Sequence, residues 1–409
     1  MVDVLIVGAG PAGMAAAVRA SSGGMRVTVV DDNPGSGGQI WRGANSRISW
    51  FDRLKRSGAE VITGARAVAG NAFRRSMLVE RHDQAITLTY RKLILATGAR
   101  EFFLPFPGWT SPRVVGIGGL QALAKSGLSV EGKRIIVAGS GPFLLAAAAL
   151  FRKQGAIVAL LAEQAPGRQL AKFGFQLFRM PGKLAQAMDL KLQLGTTRYL
   201  PSCWVEAMNG NTAKLRRRER VWEEPCDYLA TGYGFRPNVE LAAALGCDLD
   251  GVSVTADEWQ KTTLPDVYAA GECTGIGGVD LALIEGQIAG LAASGQVEEA
   301  KKLLRERFRA RQFAQTLGET FGLRPELRDL PKADTIVCRC EDVRWQAVRN
   351  SRSRREAKLY TRCGMGACQG RICGPILDFL QHPDRDTART PVFPARLETL
   401  LTDQESTQR

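Results

Sequence analysis

Five of the nine cysteines in this 409-residue chain lie close together near its carboxyl end. Cys338 and Cys340 form a C-x-C pair, and Cys363, Cys368 and Cys373 follow in a glycine-rich stretch. Four thiolates from two loops suit a [2Fe-2S] cluster or a tetrahedral zinc ion, and thiolate softness alone does not separate the two. One thiol is then spare. Such crowding differs from a disulfide framework spread through a secreted fold.

A glycine motif near the amino terminus has the pattern of a dinucleotide-binding turn. Gly8-Ala9-Gly10-Pro11-Ala12-Gly13 fits G-x-G-x-x-G, follows the apolar stretch Val2–Val7 and precedes an alanine-rich helix start at 14–20. The glycines allow a tight turn and close approach of a pyrophosphate, which the helix N-terminus then faces. Asp31 lies 18 residues after Gly13, where it could accept ribose hydroxyls. The predicted site comprises Gly8, Gly10, Pro11, Ala12, Gly13, Asp31, Asp32, Gly38, Gln39, Thr97 and Gly98.

The strand-turn-helix-strand pattern occurs a second time at 133–163, which predicts an α/β chain with two Rossmann-like dinucleotide-binding domains. The second motif begins with Gly139 and Gly141, but Leu144 replaces its third glycine. Glu163, 19 residues later, could still meet a ribose. The expected ligand of this degraded site is NAD or ATP, and a site without any nucleotide is the alternative.

Composition limits the class of protein. Hydrophobic residues make up 45% of the chain and charged residues 23%, as in folded globular proteins and unlike disordered chains. No apolar run approaches the roughly 18 residues that span a bilayer, and no basic region precedes the apolar amino terminus. We therefore expect a cytoplasmic protein of two or three domains without a transmembrane segment.

A further segment indicates which dinucleotide the first site takes. Residues 262–272, Thr-Thr-Leu-Pro-Asp-Val-Tyr-Ala-Ala-Gly-Glu, resemble the second flavin fingerprint of two-dinucleotide-domain flavoproteins. In that fingerprint an acidic residue after a glycine holds the ribityl chain of FAD, a role that the resemblance gives to Gly271 and Glu272. Glu272 stands where the family more often has aspartate. A helix predicted at 279–293 would direct its positive end at the flavin.

The cysteine segment also resembles a known domain. Its C-x-C pair and its G-M-G-x-C-Q-G-R-x-C run are similar to the bacterioferritin-associated-ferredoxin-like [2Fe-2S] domain, although that ferredoxin closes with C-x-x-C. Together with the glycine motifs, Gly37-Gly38-Gln39-Ile40 and the run at 103–109, nearly the whole chain resembles the alpha subunits of heteromeric bacterial amine dehydrogenases. That family includes opine oxidases, D-hydroxyproline and dye-linked proline dehydrogenases, and hydrogen cyanide synthase.

The resemblance implies cofactors, residue roles and partners. It gives Cys338, Cys340, Cys368 and Cys373 as the ligands of a [2Fe-2S] cluster, leaves Cys363 a bystander, and implies electron transfer between this cluster and FAD. It implies a second flavoprotein subunit, the beta subunit, which carries the amino-acid oxidation site, and a small third subunit. The complex would be cytoplasmic or peripheral on the inner face of the cell membrane. No catalytic residue of this chain can be named.

Two alternative functions stay open at this point. The chain could be a self-sufficient NADH-dependent FAD and iron-sulfur reductase, or a zinc-binding assembly or regulatory module. Disulfide reduction is disfavoured because the sequence has no C-x-x-C pair. The predicted FAD-binding domain is discontinuous, at 1–110 and 228–300, and an NAD(P)-binding-like domain lies between its two parts, at 111–227. A helical linker at 301–333, a [2Fe-2S]-binding domain at 334–390 and a tail at 391–409 follow.

Basic charge is concentrated near the cysteines. The net charge is +14, and residues 301–360 hold 16 basic and 8 acidic side chains. Arg352, Arg354 and Arg355 could steer an acidic partner subunit or electron acceptor to this region, or could form a solvated face. Nucleic acid is not an expected partner, since no binding motif accompanies the arginines. The two histidines, His82 and His382, are expected at the surface, outside any catalytic arrangement.

Overall fold

The computed structural model describes residues 1–42, 49–82, 84–178, 180–381 and 388–405, so His382 lies outside the described residues. By its internal contacts the chain divides into two compact units. Unit 1 consists of Met1–Arg100, Arg236–Gln315 and Arg385–Arg409, and unit 2 consists of Glu101–Phe235 and Thr316–Asp384. This division is coarser than the predicted domains, whose limits stay predictions.

Unit 1 is built on a seven-stranded sheet with a parallel centre. Its strand order is Glu60–Thr63, Val27–Asp31, Val2–Val7, Gln84–Leu95, Ser76–Arg81 and Ala65–Asn71, and Val267–Ala269 pairs in parallel with Gln84–Leu95. The first strand is apolar except at Asp3, and Val4, Leu5 and Ile6 are fully buried because parallel strands are covered on both faces. A small hairpin is formed by Leu249–Asp250 and Ser253–Val254.

Two helices of unit 1 pack against each other through their backbones. A Cβ atom on Gly286 would lie 2.1 Å from the carbonyl oxygen of Ala12, and one on Gly290 would lie 2.3 Å from that of Ala16. We call this contact of Ala12, Ala16, Gly286 and Gly290 the glycine seam. The helical segments of unit 1 are Pro11–Ser22, Ser49–Arg56, Glu240–Leu245, the 3-10 turn Gly271–Thr274, Gly278–Ala293, Val297–Lys301, the first part of Leu304–Phe321, and Leu397–Glu405.

Unit 2 has a second parallel sheet, which confirms the prediction of two Rossmann-type folds. Its strand order is Arg198–Pro201, Ile157–Glu163, Arg134–Gly139, Tyr228–Gly232 and Val114–Gly116. A separate antiparallel sheet is formed by Cys203–Asn209, Thr212–Arg217 and Arg220–Pro225. A short hairpin joins Ile336–Cys338 to Val343–Arg344. The helices are Ile117–Lys125, Phe143–Lys153, Gly167–Leu177, Pro181–Leu194, the 3-10 turn Pro325–Asp329, Trp345–Val348, Arg354–Thr361 and Cys373–Leu380.

The basic segment 297–321, most of which falls in the predicted helical linker, forms two helices, Val297–Lys301 and Leu304–Phe321. The second helix includes Gly318 and ends before Gly322 and Pro325. Two short strands, Ala99–Glu101 and Phe235–Pro237, lie where the chain passes from one unit to the other. Among the described residues, no helix combines the length and the apolar character needed to cross a bilayer.

Candidate cofactor sites

The first glycine motif connects the first strand of unit 1 to its first helix. Gly8 has a φ of +107°, and a Cβ there would lie 2.2 Å from the carbonyl oxygen of Ala96. Gly10 precedes Pro11, the first residue of the helix, so the free N–H groups of the first turn face outward from the motif. Of the residues that the structure describes, a Cβ on Gly10 would meet Gly38 alone, at 3.9 Å. The space above Gly10 therefore fits a phosphate that approaches the backbone closely.

The acidic residues after the second strand have unequal environments. Asp31 is buried, and its carboxylate accepts hydrogen bonds from the backbone N–H of Ala9 at 2.5 Å and of Asn33 at 2.8 Å. A carboxylate has about four acceptor positions, so Asp31 can also receive a ribose hydroxyl. Asp32 is exposed, with Arg66 at 3.9 Å. Gly38 and Gln39 follow in the same loop, and Gly38 also has a positive φ.

Asn238 fixes the Thr97-Gly98 turn, a role that no motif of the sequence indicates. Its side-chain amide donates to the carbonyl oxygen of Thr97 at 2.9 Å, and its backbone N–H donates to that of Gly98. Glu272 lies in the 3-10 turn after the last strand, and it accepts a hydrogen bond from the backbone N–H of Gly278. Burial raises the pKa of Glu272, and that hydrogen bond opposes the rise. Its contact with a ribityl chain stays a prediction.

Glu285 is a fully buried carboxylate that lies outside the motifs recognised in the sequence. It accepts hydrogen bonds from the backbone N–H of Gly271 at 3.1 Å and from the hydroxyl of Thr274 at 2.9 Å. It also pairs with Arg311 at 2.8 Å and with Arg307 at 3.5 Å. A single charge in the otherwise apolar body of the helix Gly278–Ala293 was the available signal. Glu285 therefore positions the turn that carries Glu272.

The second glycine motif keeps its turn. A Cβ on Gly139 would lie 1.9 Å from the carbonyl oxygen of Gly232, so this position requires glycine. Leu144 is buried in the core of unit 2 where the first motif has Gly13. Glu163 is fully buried, and its carboxylate accepts hydrogen bonds from the backbone N–H groups of Gly141 and Ala165, both at 2.8 Å. The acidic residue is thus used within the fold.

Residues 321–324, which we call the covering segment, lie on this second motif. The hydroxyl of Ser140 donates to the carbonyl oxygen of Phe321 at 2.8 Å. Gln164 donates to the carbonyl oxygen of Gly322 at 3.1 Å and accepts from the backbone N–H of Arg324 at 3.2 Å. The Phe321 ring lies 3.8 Å from where a Cβ of Gly141 would be, at the glycine where a pyrophosphate would approach. Nothing in the sequence pattern indicates this cover.

Burial of Glu163 predicts a pH-dependent stability. Desolvation raises the pKa of Glu163 from 4.5 to about 7, against the opposing hydrogen bonds. The folded state therefore binds the proton more tightly than the unfolded chain. The contribution of Glu163 to stability is complete below about pH 4.5 and is lost as the pH rises toward 7.

Glu163→Gln, which cannot ionise, is expected to remove this decline, which amounts to at most about 1.4 kcal/mol per pH unit. The measurement is urea unfolding of both proteins at pH 5, 6 and 7. The exposed Glu131→Gln in the same unit serves as the control and should keep the wild-type slope. Equal slopes for the wild type and Glu163→Gln would contradict the prediction.

The cysteine segment brings all five thiols into one region. Cys338, Cys363 and Cys373 are buried, and their sulfur atoms lie within 4.8 Å of one another. Cys340 is exposed and Cys368 is half-buried, and a Cβ on Gly366, two residues before Cys368, would lie 2.2 Å from the Cβ of Cys340. The resemblance left Cys363 outside the ligand set, whereas the structure groups it with two of the predicted ligands. The donor set fits a group that takes four thiolates.

The surroundings of the thiols explain how the loops reach one place. Cys338 ends a strand, Cys373 begins the helix Cys373–Leu380, and Cys363 follows the end of Arg354–Thr361. The hydrogen bonds from Cys363 and Cys373 lower the pKa of Cys338, which favours the thiolate that metals bind. The indole N–H of Trp109 donates a hydrogen bond to the carbonyl oxygen of Ile336 at 2.5 Å. The Trp109 ring belongs to the same hydrophobic core as the three buried thiols.

The remaining predicted residues have simpler surroundings. His82 is exposed, as expected. Of the basic side chains near the cysteines, Arg354 pairs with Asp378 at 3.3 Å within the fold, while Arg352 and Arg355 reach solvent. The four scattered cysteines are all buried and reduced, as small packed side chains are, at Cys203, Cys226, Cys247 and Cys273.

Two Rossmann-type sheets, an open first glycine turn and a fixed acidic turn define an FAD-dependent oxidoreductase with two dinucleotide folds. The model of the pyridine nucleotide-disulphide oxidoreductase family matches residues 2–290, and the chain belongs to this family. The chain is 30% identical to an opine oxidase subunit of Rhizobium meliloti, over 97% of each chain. It is 29% identical to hydrogen cyanide synthase subunit HcnB of Pseudomonas protegens, over 90% of this chain and 89% of that one.

Solved structures show the same fold. L-proline dehydrogenase from P. horikoshii superposes with a TM-score of 0.69 at 18% identity, covering 98% of this chain and 79% of that chain. Thioredoxin reductase from T. acidophilum superposes with a TM-score of 0.57 at 20% identity, covering 72% of this chain and 98% of that chain. The resemblance to the former extends over the cysteine segment, whereas the reductase matches a smaller part of the chain.

Proposed function

We propose that this chain is the electron-transfer flavoprotein subunit of a heteromeric dehydrogenase that oxidises an amino acid or an opine. FAD occupies the first glycine motif of unit 1, and a [2Fe-2S] cluster occupies the cysteine segment of unit 2. The beta subunit carries the substrate site. The observation that carries this proposal is that Ser140 and Gln164, at the second glycine motif, are hydrogen-bonded to the covering segment.

The covered motif argues against nicotinamide as the electron source. Ser140 follows the first glycine of the motif, and Gln164 follows the acidic residue Glu163. Both side chains are hydrogen-bonded to the covering segment. Glu163 accepts two backbone N–H hydrogen bonds, as Asp31 does at the first motif, but none of its surface is exposed, whereas Asp31 keeps an exposed fraction of 6%. Binding of NADH would require these contacts to break. Electrons therefore enter from another protein and not from a nucleotide bound at this motif.

The thiols of the cysteine segment provide the second redox site of the proposed function. A flavin accepts two electrons together and releases them singly, whereas a [2Fe-2S] cluster takes one at a time, so the pair converts two-electron into one-electron transfer. The residues of this chain supply the thiolates, shield three of them from solvent and leave Cys340 at the surface. The segment 102–109, which includes the buried Trp109, packs on the same core as the cysteines.

The names of the relatives support a partner subunit. The relatives from Rhizobium meliloti and Pseudomonas protegens are each named as one subunit of an enzyme, an opine oxidase and a hydrogen cyanide synthase. On this chain, Arg352 and Lys358 reach solvent near Leu359 and Tyr360, whose exposed fractions are 71% and 82%. Exposed aromatic and basic side chains are typical of interfaces with acidic proteins. The beta subunit, together with a small third subunit, is the proposed partner.

An anaerobic absorption titration tests this function. The chain, purified without air, is expected to contain FAD, iron and labile sulfide, and its flavin absorbance should not change when NADH is added in excess. Proline, hydroxyproline or an opine, added together with the beta subunit, should then bleach the flavin and reduce the cluster.

Two results would contradict the proposal. Bleaching by NADH alone would make the chain a self-sufficient reductase. Zinc in place of iron, together with the absence of FAD, would make it a binding module without redox chemistry. Phe321→Ala is a useful companion variant, because loss of the ring should weaken the cover without touching the first motif.

A further inference from the structure

The buried thiols outnumber the coordination positions available to them. In a [2Fe-2S] cluster with four thiolate ligands, each iron takes two of them. Cys340 and Cys368, the two less buried thiols, are assigned to one iron. Three thiols remain for the other two positions, and they are Cys338, Cys363 and Cys373.

Cys338 is the common member of this buried group. Cys338 ends the strand Ile336–Cys338, whereas Cys363 and Cys373 lie at the two ends of one loop. All three sulfur atoms lie within 4.8 Å of one another. Either of the other two thiols is therefore close enough to complete a ligand pair with Cys338.

The loop between Cys363 and Cys373 folds back so that its two ends meet. Gly364 and Gly370 have φ values of +85° and +81°, and a Cβ on Gly364 would lie 3.4 Å from the Cα of Gly370. The same Cβ would lie 3.7 Å from the sulfur of Cys373. Glycine adopts this left-handed backbone readily, so these two residues allow the loop to bring Cys363 and Cys373 together, with both sulfur atoms within 4.8 Å of that of Cys338.

We propose that Cys363 and Cys373 are interchangeable ligands for one coordination position beside Cys338, so that the site tolerates the loss of either. This inference rests on the proposed function, because it requires the [2Fe-2S] cluster. Cys373 is the resident ligand, and Cys363 is a buried reserve thiol that binds iron when Cys373 is absent. The less buried pair of Cys340 and Cys368 has no such reserve among the described residues.

The test measures cluster content in alanine variants of the full chain purified without air. Cys363→Ala and Cys373→Ala should each keep most of the wild-type iron and labile sulfide per chain, and the double variant should keep less than about a tenth. The electron paramagnetic resonance spectrum after dithionite reduction should be unchanged in Cys363→Ala and altered in Cys373→Ala. Cys368→Ala should lose the cluster as a single change.

Folding is monitored independently by the FAD content and by far-ultraviolet circular dichroism of every variant. Cys226→Ala is the matched control, since it removes a buried thiol of the same unit away from the cysteine segment, and should keep the cluster. The inference is overturned if either single variant loses iron as completely as the double variant, or if the double variant retains it. A wild-type chain without iron and sulfide would instead overturn the proposed function.

Discussion

Gly13→Ala is expected to yield a protein that purifies without FAD. A Cβ at position 13 would lie 1.8 Å from the carbonyl oxygen of Gly8, which is backbone and cannot rotate away. Relief of this overlap would move the first helix away from the strand that precedes it, and the first-turn N–H groups would move with it. Overpacking of this kind costs about 1 to 3 kcal/mol or more, so the thermal midpoint should also fall by several degrees.

The measurement is the ratio of FAD to protein, from the absorbance of freshly purified chain, together with a thermal unfolding scan. Gly35→Ala is the matched control, because Gly35 lies in a nearby loop with nothing within 4 Å of the added Cβ. The control should bind FAD at the wild-type ratio. Retention of full FAD by Gly13→Ala would show that the motif is not the flavin site.

Removal of Glu285 should cause a comparable loss by a different route. Glu285→Ala leaves the N–H of Gly271 and the hydroxyl of Thr274 without their acceptor, and it leaves Arg307 without its carboxylate partner. Removal of one member of a buried ion pair costs about 3 to 5 kcal/mol. The turn that carries Glu272 loses its support as well, so we expect weaker FAD binding in addition to the loss of stability.

Chemical denaturation and FAD affinity separate these two effects. Glu299→Ala removes an exposed carboxylate that pairs with Lys302 at 2.5 Å, and its expected cost is only about 0 to 1 kcal/mol. Glu285→Gln keeps an acceptor for the N–H of Gly271 but lacks the charge, and it should lie between the two. If Glu285→Ala were as stable as Glu299→Ala, the buried network would not support the turn.

Local patterns carried the prediction of both dinucleotide folds. The glycines of each motif, the strands before them and the acidic residues after the second strands lie within about 30 residues of one another, so their geometry follows from a single βαβ unit. The strand predicted at 2–7 is present at Val2–Val7, and the helix predicted at 279–293 is present at Gly278–Ala293. Short-range geometry of this kind can be predicted from a single sequence.

Contacts between residues far apart in the chain could not be predicted from the sequence. The covering segment reaches Ser140 from 181 residues away, and nothing in the composition of residues 321–324 indicates which surface they bind. The grouping of Cys363 with Cys373 likewise depends on how Gly364 and Gly370 fold the loop between them, and not on the spacing of the cysteines. Glu285 acquires its role only when the helix Leu304–Phe321 brings Arg311 to it.

Through the glycine seam, the helices Pro11–Ser22 and Gly278–Ala293 move as one rigid unit. Backbone atoms touch at Gly286 and Gly290, so no layer of side chains between the two helices can compress or rearrange to absorb a displacement. A change in the pitch of either helix must therefore appear in both. A mutant library intended to alter cofactor preference in this unit should therefore leave the seam untouched and vary the loops at the sheet edge.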